Sequence, residues 1–391
     1  MRYTWLISAL ILMMLPLSSD AQRQDAPPYA ERGTYKVGTV DLSIDADPRA
    51  LDVTLWYPTL DDSEEATTHR VLVLQIAGEA IRDANLAPSD TPYPLVLVSH
   101  GSGGSRYLQR WLTEHLAARG FIVMAVDHPR NNFADSLINR WDFTANYAYR
   151  PLDVLNMIDF AADLNDRSAR FADMIDITRI AVIGHSFGGT TALQVAGAQL
   201  DFARLSEHCA TAPADDNTCF LLEDAEQTRI ADLREYRSVP DEWPVLSDPR
   251  IGAIVLYAPW NGANLDVSGI DVPTLLMYGT ADTISVPARD TLAIYERLDT
   301  PRYLTRFVLG GHNLFIDACP PNIPVTDDQY RSCMDAVWAM PRAHDLANHL
   351  TTAFLEAYLR DDEDARAALA PQNVDFRGIE YDATRVDGSA D

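Results

Sequence analysis

The 391-residue sequence predicts an α/β protein in which a mostly parallel central sheet carries helices on both faces, with antiparallel strands at the N-terminus and an inserted lid. Two observations predict it. Short unbroken apolar runs at 94–98, 121–126, 180–183, 251–256 and 274–277 suit parallel strands buried on both faces. Helical patterns over 106–119, 151–165, 190–200 and 287–298 alternate with those runs, as a doubly wound sheet requires, and this arrangement places sites in the loops after strand C-termini.

The elements before this alternation read differently. Residues 34–44, 51–57 and 70–76 alternate apolar and polar side chains, which predicts antiparallel strands with one wet face. Residues 201–249 interrupt the strand–helix rhythm with a cysteine pair, a polar turn and a helical stretch over 225–237, and they read as an insertion or lid. The run 307–309 predicts a last strand. Residues 343–359 form a helix whose stripe Leu346, Leu350, Phe354 and Tyr358 packs on the sheet. Beyond it, 361–391 reads as an acidic, solvated tail. The expected organisation is a signal peptide over 1–21, from its charged start, short apolar region and small residues at the cleavage position, then one domain over 22–391.

Composition narrows the function. A formal charge of −26 offers no excess of Lys or Arg to displace counterions from a phosphate backbone, so nucleic-acid binding is excluded. Lys36 is the only lysine, which removes Schiff-base and lysine general-base chemistry. Once the signal is removed, no stable membrane span is expected. In an export compartment the four cysteines are expected to pair locally, Cys209 with Cys219 and Cys319 with Cys333, the simplest of three pairings.

The chemistry centres on Gly184-His185-Ser186-Phe187-Gly188-Gly189, between an apolar strand and a small-residue helix. A sharp strand-to-helix turn exposes such a serine, and only small neighbours let the strand and helix approach. A serine hydroxyl needs a base, and the base an orienting carboxylate. Asp282 and His312 each follow an apolar strand, in the order Ser, Asp, His, with Asp317 as the rival acid. His344 and His349 fall on the terminal helix and His208 in the insertion, away from that rim. The loop His100-Gly101-Ser102-Gly103-Gly104 follows another strand, so the amides of Ser102 and Phe187 are the candidate oxyanion donors, and His100 reads as structural. The loop lacks the lysine and spacing of a phosphate cradle. Trp260 and Asn261 are candidate pocket residues from their position after a strand, and Phe202, Leu205, Phe220, Leu221 and Leu222 of the insertion serve either an acyl pocket or lid packing.

With Leu55-Trp56-Tyr57-Pro58, Val126-Asp127-His128-Pro129 and Arg150-Pro151-Leu152-Asp153 added to these motifs, the chain resembles the bacterial dienelactone-hydrolase-like and platelet-activating-factor-acetylhydrolase-like branch of the α/β hydrolases. That resemblance implies the α/β-hydrolase fold and ester hydrolysis with neither metal nor organic cofactor, with Ser186 as nucleophile, His312 as base and Asp282 as acid. True dienelactone hydrolases carry cysteine at the nucleophile; here it is serine. The cutinase branch has a similar elbow without so long a lid. The expected activity is an exported serine esterase acting on short or medium acyl esters, with polyester or lipid-acetyl substrates, an amidase or peptidase, and a non-catalytic binding protein as alternatives. No feature of the sequence sets an oligomeric state.

Overall fold

The computed structural model describes residues 26–63, 67–71, 74–213, 216, 218–319 and 332–384. The expected signal segment lies outside the described residues. Ten strands form one sheet: β1 (Lys36–Ile44), β2 (Leu51–Thr59), β3 (Ile81–Arg82), β4 (Tyr93–Ser99), β5 (Ile122–Asp127), β6 (Ile175–His185), β7 (Ile251–Tyr257), β8 (Thr274–Gly279), β9 (Arg302–Phe307) and β10 (Ile379–Thr384). Their order is β10-β9-β8-β7-β6-β4-β5-β2-β1-β3. Pairing is parallel from β5 through β4, β6, β7 and β8 to β9, and antiparallel where β1 meets β2, β2 meets β5 and β9 meets β10. The continuous apolar runs are therefore the parallel centre, buried on both faces, as their sequence requires.

Nine α-helices flank or cap the sheet: α1 (Arg110–Ala118), α2 (Phe133–Leu137), α3 (Phe143–Arg167), α4 (Phe187–Val195), α5 (Phe202–Cys209), α6 (Asp224–Leu233), α7 (Thr291–Arg297), α8 (Met340–Leu359) and α9 (Glu363–Ala368), counted among the described residues. Two apolar clusters divide between the sheet faces. One joins β2, β4 and β6 to α3 and α4; the other joins β7 and β8 to α1 and α8, where Leu346, Leu350 and Phe354 are fully buried. No described helix is long and apolar enough to cross a membrane.

Four sequence expectations are corrected. The helix expected to start at Pro151 begins eight residues earlier, at Phe143, because the Asp142 side chain caps it by accepting the Ala145 amide. Pro151 sits inside that helix and has no N–H to offer Tyr147 O; Arg234 from the insertion donates to that carbonyl at 3.1 Å and to Ala148 O at 3.3 Å instead. The run 70–76 is not one strand but part of a separate two-stranded hairpin, Thr68–Val71 against Leu74–Ala77. The strand expected at 307–309 ends at Phe307, since Leu309 adopts φ 59° and is exposed. The acidic tail is not simply a solvated end: it contributes α9 and the edge strand β10, which pairs with β9 from Arg302↔Thr384 to Phe307↔Ile379.

Residues 201–249 enter after α4 and return at β7, carrying α5 and α6. The segment is fastened as well as inserted. Leu205 and Leu221 are fully buried in its packing, Arg229 pairs with Asp142, Thr144 bonds Glu226, and Cys209 is bonded to Cys219. Cys319 is bonded to Cys333.

Candidate active site

Ser186 joins β6 to α4 at φ 54°, ψ −120°, a left-handed backbone that a non-glycine residue adopts at a cost of about 1–3 kcal/mol. Although it stands at the helix N-cap position, its hydroxyl makes no capping bond. The turn closes only around glycine. A Cβ on Gly184 would lie 2.0 Å from Gly188 O, and one on Gly188 would lie 1.9 Å from Ser99 O, so strand, helix and the end of β4 touch backbone to backbone. The turn is pinned from below: Ser186 N donates to Tyr257 O at 2.9 Å, and Ser186 O accepts from Trp260 N at 3.2 Å.

Asp282 and His312 come to the same rim. His312 Nδ1 is 2.7 Å from Asp282 Oδ2, while Asp282 Oδ1 accepts the amides of Ile284 at 2.8 Å and Ser285 at 3.0 Å. These bonds fix the carboxylate before it meets the imidazole. His312 is tied to the Ser186 turn by its backbone, because His185 Nε2 donates to His312 O at 3.1 Å and the two rings lie 4.9 Å apart. Asp317, the rival acid, faces elsewhere: it pairs with Arg110 at 3.1 Å and accepts the Trp111 amide, and burial pushes its carboxyl up to about 6. His344 stacks on Trp111, His349 accepts the Tyr29 amide and His208 meets Asp216, so none of these joins Asp282.

The glycine loop after β4, expected to supply an oxyanion donor, lies against the turn. A Cβ on Gly101 would come within 3.2 Å of Ser186 Cβ, which places the peptide of Ser102 beside the serine. Among the described residues, the amides of Ser102 and Phe187 donate to no backbone or side-chain acceptor. Phe187 N also heads α4, where the helix dipole is positive. Of the weak pocket candidates, Trp260 packs its ring 5.7 Å from that of Phe187. Asn261 is wholly buried at φ 60° and donates to Tyr147 OH.

Sequence reasoning missed the aromatic wall around Phe187. Phe143 stacks on Phe187 at 4.8 Å, Tyr147 lies 5.2 Å from it, and Phe220 of the insertion meets Phe143 edge-on at 5.5 Å. Phe143 lies before the expected helix start, so its periodicity carried no signal. Phe220, expected either in an acyl pocket or in lid packing, packs against Phe143.

A second chain of the same residue types lies behind this site. Ser99 Oγ is 2.9 Å from His128 Nε2, and His128 Nδ1 is 2.6 Å from Asp153 Oδ2, all three buried. Burial pushes Asp153 up to about 6 although Arg49 pairs with it, and burial holds His128 well below the usual imidazole range. The neutral His128 therefore donates from Nδ1 and accepts the Ser99 hydroxyl at Nε2. As for a metal, His208, Asp216 and Cys219 come together in the insertion, but the Cys219 sulfur is bonded to Cys209 and Asp216 to Arg289, a donor set that does not fit a cation. Clefts of about 510 Å³ beside Pro249 and Pro273 and about 430 Å³ beside Tyr93 and Gly120 open at the N-terminal ends of the parallel strands, the rim opposite Ser186.

Residues 94–243 match the alpha/beta hydrolase fold family. Platelet-activating factor acetylhydrolase of Bos taurus is 28% identical over 231 residues, covering 41% of this chain and 50% of that one. Cutinase 2 of Thermobifida cellulosilytica is 25% identical over 232 residues, covering 59% of this chain and 63% of that one. Cutinase est1 of Thermobifida alba is 30% identical over 109 residues, 28% of this chain and 32% of that one. The chain thus spans half the length of the acetylhydrolase and under two thirds of either cutinase. Sheet order, turn and matches together show the alpha/beta hydrolase fold.

Proposed function

We propose that the chain is an exported serine carboxylic-ester hydrolase acting on short or medium acyl esters. The observation that carries the reading is the 2.7 Å contact between Asp282 and His312 on the rim where Ser186 stands in a strained turn. Ser186 Oγ attacks the ester carbonyl and gives its proton to His312 Nε2. Asp282 holds the imidazole with Nε2 free and stabilises the imidazolium. The negative charge on the carbonyl oxygen is met by the amides of Ser102 and Phe187, which need not break other hydrogen bonds to receive it. His312 returns the proton to the leaving alcohol, and water, deprotonated by His312, releases the acid and restores Ser186. The reaction proceeds with no metal or organic cofactor. Export is supported by the two disulfides, which persist in oxidising compartments.

A polyester or lipid-acetyl ester is the second reading of the substrate, favoured by the names of the cutinase and acetylhydrolase relatives. Rates across a series of ester chain lengths and head groups test both. The proposal expects a maximum at short or medium acyl chains that disappears in Ser186→Ala. A maximum at long acyl chains, or an amide cleaved faster than its matched ester, contradicts it.

A further inference from the structure

Arg150 is fully buried, and among the described residues it makes no ion pair with a carboxylate. The nearby Asp153 is taken by Arg49 and His128. Arg150 instead directs its donors at neutral oxygens: Nη1 to His100 O at 2.7 Å, and Nη2 to Asn131 Oδ1 at 2.7 Å and Gly101 O at 3.3 Å. Its guanidinium carbon stands 4.5 Å over the Phe187 ring. Asp153 acts on this charge only from a distance, and a buried charge with no carboxylate bonded to it is costly, so its contacts call for a role.

The peptide whose carbonyl is Gly101 O is the peptide whose N–H is that of Ser102. His100 Nε2 accepts the His128 amide at 3.2 Å, so His100 carries its proton on Nδ1 and donates to the same Gly101 O at 2.6 Å. With the Gly104 amide, which donates to Gly101 O at 3.1 Å, three donors thus converge on one carbonyl, two of them side chains. They fix the plane of the 101–102 peptide and, by polarising it, strengthen the N–H at its other end. The contact with the Phe187 ring steadies the residue that supplies the second amide.

We infer that Arg150 is a positioning residue for the oxyanion, holding and polarising the Gly101–Ser102 peptide while bracing Phe187. This rests on the serine-hydrolase reading above. A trifluoromethyl ketone tests it, since addition of Ser186 to its carbonyl places a negative oxygen where the ester oxyanion would form. In Arg150→Met, kcat is expected to fall about 10- to 100-fold at a KM changed less than about threefold. Ketone affinity falls by a similar factor, the ¹³C signal of the hemiketal titrates at higher pH than in the unsubstituted protein, and a non-hydrolysable ether analogue of the ester binds as before. Arg150→Lys, which keeps the charge without the planar fork, recovers part of each loss, and it gives the same readings if Arg150→Met does not fold. An unchanged kcat, or equal weakening of ketone and ether binding, overturns the inference and leaves Arg150 a packing residue. If the unsubstituted protein forms no hemiketal at Ser186, the hydrolase reading itself fails, and with it this inference.

Discussion

Ser186, His312 and Asp282 on the rim and Ser99, His128 and Asp153 beneath it are two chains of the same residue types with similar imidazole–carboxylate distances, 2.7 and 2.6 Å. They differ in backbone and access. Ser186 stands at φ 54° in a tight turn that only glycine neighbours allow and is 6% exposed, with His312 at 9%; Ser99 ends an extended strand, and it and His128 are 0% exposed. No substrate carbonyl reaches Ser99. The buried chain ties β4, β5 and α3 together with Arg49, and its serine holds a histidine instead of being activated by one. Residue identity specifies the relay; the strained turn and the slight access from the rim make one copy a candidate nucleophile.

The largest effect that separates the two chains is on turnover. Ser186→Ala is expected to lower ester kcat by about a million-fold, as loss of a triad serine does. Ser99→Ala is expected to leave kcat within about tenfold. Asp282→Asn follows, with a loss of about ten-thousand-fold in kcat from the wrong imidazole tautomer. A loss of that size in Asp153→Asn, measured on folded protein, would assign the buried chain a direct part in the chemistry.

The buried chain should show itself instead in stability against pH. Asp153 titrates at about 6 in the fold and near its ordinary 3.8 when unfolded. The folded state therefore binds more protons between those values, and the stabilisation is complete below 3.8 and lost as pH rises through about 6. Relative to Asp153→Asn, the unsubstituted protein is expected to lose about 3 kcal/mol across that window, read from urea unfolding at each pH. A flat difference would show that Arg49 offsets the burial. The smallest effect is that of Ser99→Ala on stability, about 1 kcal/mol from the orphaned His128 Nε2, measured the same way.

Much of this was legible in the sequence, for physical reasons that differ by region. The parallel centre was, because strands buried on both faces must be continuously apolar, as 94–98 and 251–256 are. The elbow was, because Gly184 and Gly188 answer to backbone contacts that no side chain survives. The start of α3 was not: Pro151 looks like a helix start until Arg234, distant in sequence, supplies the donor that proline lacks. Nor was the role of α9 and β10, whose acidic, weakly apolar segment is ordered by pairing with β9. Arg150 was visible as part of a motif, but its meaning depends on three oxygens from two other loops.

The contrast between the chains is tested most directly by where a serine-reactive phosphonate attaches, located by peptide mass spectrometry in the intact protein. Phosphonylation of Ser186 alone, with loss of ester hydrolysis in step with labelling, is the expected result. Attachment elsewhere, or full esterase activity in Ser186→Ala, would contradict it.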